Sequence, residues 1–204
     1  HNLKGFIDLC RNELTIFGAD LDWNAGIWDV TPWVFISGRK GRVALTWSNH
    51  DTSKQKMGAL LSPPFLNFVK SYMRYQHGMK PTKIVGFRLS ALRALERALL
   101  ELHGESKVEK ADAEAFNRSA QLIRDKFKAS TSYRIGSQLG MISHFLLENK
   151  LVAHAFIWKN PLKRSRDKNR MGKKADKDRL NKLPSEAGLD ALPHVYNLAI
   201  DAPD

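Results

Sequence analysis

Apolar side chains recur at three- and four-residue spacing through six stretches of the chain, the period of helices that bury one side. The first, residues 3–14, spaces Leu3, Phe6, Ile7, Cys10 and Leu14 in this way. Residues 62–78 repeat it through Phe65, Phe68, Val69, Tyr72 and Tyr75, with Ser62 as N-cap, Pro63 at the first helical position and Gly78 as the stop. Leu89, Leu92, Leu95, Leu99 and Leu102 define the inward side of a helix that ends at Gly104. Asp112 opens the next, which carries Phe116, Ala120, Ile123 and Phe127; Ser130 or Thr131 opens another, which carries Ile135, Leu139, Ile142, Phe145 and Leu146. Short connections between these four predict a helical bundle over residues 62–158. Ser185 caps a last helical pattern through Leu189, Leu192, Val195, Tyr196 and Ala199.

The period is different before residue 62. Residues 33–37 and 42–48 are rich in Val, Ile, Phe and Trp and flank a Gly-Arg-Lys-Gly turn, which predicts a β-hairpin. Trp23, Trp28, Trp33 and Trp47 form a small aromatic core on this reading; stacking on nucleic acid bases is the alternative. The fold class is therefore mainly α: a four-helix bundle, preceded at 1–61 by an extension with a helix and a β-hairpin and followed by a basic linker and a terminal helix.

Charge changes the picture most. The 204 residues carry a net +12, and residues 159–182, with 11 basic and 3 acidic side chains, contribute +8 of it. Dense like charge with Pro161 and Gly172 opposes a packed helix there, so a mobile link over residues 163–178 is expected. A polyanion is the natural partner, because Lys and Arg at phosphates release condensed counterions. No apolar run has the length of a membrane span and the N-terminus lacks the apolar core of a secretory signal, so no membrane partner is expected. The lone Cys10 on an apolar stripe reads as a structural thiol in a reducing compartment.

Catalytic chemistry finds no purchase. The histidines lack metal-ligand spacing, Gly38 to Gly41 is too short for a phosphate loop, and the carboxylates interleave with basic residues on helix surfaces. No catalytic residue, metal or cofactor is assigned. Two helices do carry groups suited to phosphates and base edges: Lys83, Arg88, Arg93 and Arg97, then Arg134, Ser137, Gln138 and His144.

The order of motifs resembles the core-binding, SAM-like region of the tyrosine recombinases, the phage integrase family. Thr82 opens the second bundle helix; Ser130 and Arg134 stand in the family's Ser/Thr-x-x-x-Arg helix; Phe145, Glu148 and Leu151 close it. Asn160 and Pro161 with basic residues lead on to Leu183 and Pro184, and the likeness spans residues 62–192. It implies duplex DNA binding by Lys83, Arg88, Arg134, Ser137 and Gln138, to which the basic segment adds Lys163, Arg164 and Arg166. It also implies a linker at 159–182, a catalytic domain beginning at 183–204 and completed beyond this chain, and recombinase protomers as further partners on DNA. Cutting and rejoining of DNA would belong to that catalytic domain, so Tyr72, Tyr133 and Tyr196 are not assigned as nucleophiles. The implied setting is cytoplasmic and nucleoid-associated, of bacterial or phage origin. The competing reading is a helical interaction module that binds RNA or an acidic protein through its basic surface.

Overall fold

The structure, a computed structural model, describes residues 2–34, 42–49, 59–81, 85–164, 185, 188–191 and 193–194. The chain divides into two compact units, His1–Arg164 and Ser165–Asp204. The first is mainly helical, in the order α1 (Asn2–Asn12), β1 (Ile27–Asp29), β2 (Ala44–Thr46), α2 (Pro63–Met79), α3 (Val85–His103), α4 (Ala113–Lys126) and α5 (Ala129–Glu148). In the second, Ser185 caps residues 188–191 as expected: its Oγ accepts from the Gly188 N–H at 3.2 Å.

The bundle helices begin and end where local chemistry directs. The Asp112 carboxylate accepts from the Ala115 N–H at 2.8 Å and so caps α4. Gly104, at φ +69°, turns the chain out of α3, a conformation glycine adopts without a Cβ clash. Helix α3 packs on both α4 and α5, and α2 packs on α1 and α3. Their apolar stripes, including Phe68, Tyr72, Leu92, Leu95, Phe116, Ile123, Leu139 and Ile142, form one buried core. Leu102 departs from expectation: at 37% exposure it lies outside that core, near the end of α3.

Described residues before 62, from Phe17 to Leu61, contribute to the same core. Trp23, Trp28 and Trp47 are buried within it, with Trp28 and Trp47 edge to face at 4.8 Å, whereas Trp33 is 41% exposed. The β-pairing also differs from the expected hairpin. Strand β2 pairs antiparallel with Ile27–Asp29 in the register Trp28 opposite Leu45, and Trp33 and Val34, the described part of the expected first strand, lie outside this ladder. The Asp29 carboxylate accepts from the Thr31 N–H and hydroxyl, and residues 31–33 then form a 3-10 turn through Pro32. Proline has no N–H for a ladder, so the strand stops before it. Residues 35–37 of the expected strand, and the turn itself, lie outside the described residues.

Three cations from the bundle fix this region in place. Lys70 of α2 donates to the Trp23 and Ala25 carbonyls at 2.5 and 3.1 Å, with its ammonium 5.5 and 5.7 Å from the Trp28 and Trp47 ring centroids. Arg74 donates to the carbonyls of Ile16, Gly18 and Cys10 at 2.7, 3.0 and 3.2 Å. Arg93 of α3 donates to Ser48 and Thr46 at 2.7 and 2.8 Å. The loop that Arg74 holds includes Phe17, which has φ +72° and is buried against His77 and Trp28. A phenylalanine in the left-handed region costs about 1 kcal/mol or more, and this bonding opposes its relaxation.

Burial lowers the Lys70 pKa to about 8 from its ordinary 10.5. Between those values the unfolded chain holds a proton that the folded chain has released, so stability rises with pH across this window. Urea titrations of the wild type and Lys70→Met from pH 8 to pH 10 should show the wild type gaining on the variant by up to about 1 kcal/mol per pH unit. A constant difference between the two would show that Lys70 is not desolvated.

Candidate nucleic-acid interface

Helix α5 faces the core through Ile135, Leu139, Ile142 and Leu146, all buried. At 100° per residue, the opposite side of its first three turns carries Ser130, Tyr133, Ser137 and Gly140. These are small or uncharged, and a Cβ built on Gly140 would meet nothing within 4 Å. Arg134 stands at one edge of this face, exposed, with its guanidinium 5.7 Å from the Phe87 ring centroid.

The other edge is formed by an extended strap. After α5, Lys150 at φ +51° reverses the chain, and the Ala153 N–H bonds to the Glu109 carbonyl at 2.8 Å. Residues 156–162 then alternate: Phe156, Trp158, Asn160 and Leu162 turn inward, while Ile157, Lys159 and Pro161 are exposed. Phe156 and Trp158 pack 5.3 and 5.2 Å from Phe116, and the Trp158 indole N–H donates to Asn117 at 2.9 Å. Leu162 seats on Gly136 of α5, where a Cβ would stand 2.8 Å from Leu162 Cδ1 and 2.9 Å from the Asn160 amide. Only glycine admits this approach.

That seat delivers Lys163 and Arg164, both exposed, to the start of α5. Lys163 shares a groove of about 310 Å³ with Arg124, Phe127, Ser132, Pro161 and Leu162, and no carboxylate lines it. Arg124 and Lys128 are exposed beside it. The unsatisfied N–H groups at the start of a helix add positive potential there. Gly136 and Arg134 are about 160° apart around α5, so the uncharged face lies between two cationic edges.

Arg134, Ser137, Lys163 and Arg164 thus border this surface, although the Ser137 hydroxyl donates to the Tyr133 carbonyl at 2.9 Å. Arg88 and Gln138 do not. They are 4% and 7% exposed, and the Arg88 Nε–H reaches Gln138 Oε1 at 3.4 Å. The reason is spacing: Val85, Arg88, Leu89 and Leu92 share one helix side, as do Ile135, Gln138, Leu139 and Ile142, so both polar residues fall on core stripes. Arg93 is bonded to the β2 region, Arg97 pairs with Glu101 at 2.9 Å, and His144 lies 3.0 Å from Glu148. Lys83, Arg166 and residues 165–178 of the expected mobile link lie outside the described residues. Arg124 and Lys128 were missed by sequence reasoning; their signal was the basic run Arg124, Lys126, Lys128 before the α5 start. Among the described residues no group of His, Cys, Asp and Glu side chains could hold a metal ion, and no helix is long and apolar enough to cross a membrane.

Comparison of the chain with protein-family models, with curated proteins and with solved structures finds no match.

Gly136→Val should unseat Leu162. The Leu162 amide and the Trp158 indole N–H are expected to exchange with solvent at least about tenfold faster, while the central α5 amides keep their protection. Unchanged exchange in NMR spectra of the variant would show that the strap is not held at Gly136.

Proposed function

We propose that this chain binds duplex DNA, with the first three turns of α5 in the major groove. The supporting observation is the face between two cationic edges. A major groove about 12 Å wide admits one helix, and the walls of that groove are phosphates. A helix with a small, uncharged outer face approaches base edges closely. Arg134 on one edge meets one phosphate wall, while Arg124, Lys128, Lys163 and Arg164 on the other meet the opposite wall. His144 and Glu148, 3.0 Å apart, mark the far end of α5, where an exposed carboxylate disfavours phosphates.

The resemblance to the core-binding region of tyrosine recombinases supports the same reading. On it, the bundle is SAM-like, the strap is the start of the interdomain connection, and strand cleavage is the work of a catalytic domain outside this chain. The chain alone then binds without cutting.

Duplex affinity should fall with log salt at a slope of about −0.9 per phosphate, with roughly five to eight phosphates neutralised. Arg134→Glu and Lys163→Glu should each weaken binding about tenfold or more and flatten that slope by about one. A flat salt response, or preference for structured RNA over duplex in direct competition, would exclude this assignment.

A further inference from the structure

Of the buried polar atoms left without a partner among the described residues, one belongs to a permanently charged group: Nη1 of Arg88. The side chain is 4% exposed, and among the described residues its hydrogen bond is the long one to Gln138. Among the described residues no carboxylate acts on it; its titratable neighbour is Tyr72, whose hydroxyl is likewise buried and without a partner and is kept protonated by burial. A buried guanidinium without a counter-charge costs several kcal/mol, and its usual remedy is a paired acid. Lys70, Arg74 and Arg93 are compensated by backbone carbonyls, but Arg88 is not.

The groups around it point one way chemically. Arg88 of α3 offers an N–H, Tyr72 of α2 an O–H, and Gln138 of α5 an amide whose Nε2 now rests on Met141 Sδ at 3.7 Å. That is a weak contact to an exposed side chain, so an anion that replaces the Gln138 carbonyl at Arg88 gives up only this contact and the 3.4 Å bond when the amide turns its NH₂ inward. Three donors from three helices with a net positive charge and no acid select a ligand that only accepts.

We propose that Arg88, Tyr72 and Gln138 form an oxyanion site that takes a phosphate group, reached by displacement of Gln138 and Met141. The site is separate from the α5 face and stands whether or not that face binds DNA. Two sources share this chemistry, free inorganic phosphate and the phosphodiester of a nucleic acid.

The test is thermal unfolding of the full chain while inorganic phosphate replaces chloride at constant ionic strength. The wild type should show a saturable rise in Tm of about 5 °C. Tyr72→Phe removes only an unbonded hydroxyl, so its phosphate-free Tm should hold while the half-saturating phosphate concentration rises about fivefold or more. Arg88→Met should abolish the response, and Arg88→Lys, which keeps the charge and loses the fork, should weaken it about tenfold. Competition assigns the source. If phosphate displaces a short DNA duplex from the wild type and Arg88→Lys weakens both ligands, the phosphodiester is bound; if duplex affinity is unchanged in Arg88→Lys, the ligand is the free anion. A wild-type Tm that tracks ionic strength alone, or an equal response in Arg88→Met, overturns the site.

Discussion

The capture of backbone carbonyls by Lys70, Arg74 and Arg93 is the constraint on which the rest of the first unit depends. Among the described residues between 13 and 49, regular structure is limited to two three-residue strands and a 3-10 turn, so ladders consume few of their carbonyls. Buried backbone oxygens without partners are costly, and charged donors are the strongest available remedy. The exchange works in both directions, because each cation loses water and regains acceptors. It locks the α1–β2 region onto α2 and α3 and closes the aromatic core over Trp28 and Trp47.

Where the strap meets α5, close approach is decided by Gly136. Phe156 and Trp158 give the strap its apolar hold on Phe116, but it is the missing Cβ on α5 that lets Leu162 sit down and aims Lys163 at Arg124. The basic edge is thus a product of packing, made from residues 124, 128, 163 and 164, which are distant in sequence. Arg88 is the counterexample within the same bundle: a cation that packing has placed inside with one long bond to Gln138 and no acceptor at Nη1.

Much of this was legible in the order of residues. The apolar period located α1 and all four bundle helices to within a few positions, and Asp112 and Gly104 marked ends that the structure keeps, because caps and stops act within one turn. The tryptophans read as core because several large aromatics in one short stretch bury more area together than a stretch so short can shield by itself. Strand pairing was not legible. Residues 27–29 carry too short a pattern to announce a strand, and their partner was chosen by the Asp29 and Pro32 turn and by Arg93 holding Thr46 and Ser48. Nor was the extent of the first unit, whose compact part runs to Arg164 because the strap packs on α4 and α5.

The candidate interface divides along the same line. By itself the sequence determined that the chain is mainly helical, that its positive charge is densest in residues 159–182, and that Arg134 and Lys163 are cations available to an acidic partner, since composition and period are properties of the chain alone. Only the tertiary structure decided that Arg88 and Gln138 are inside, that Arg124 and Lys163 share one groove, and that an uncharged helix face lies between cationic edges. A polar residue at a stripe-compatible position reads the same on paper whether it faces water or the core, and groups from separate segments become one surface only when the backbone has been brought together.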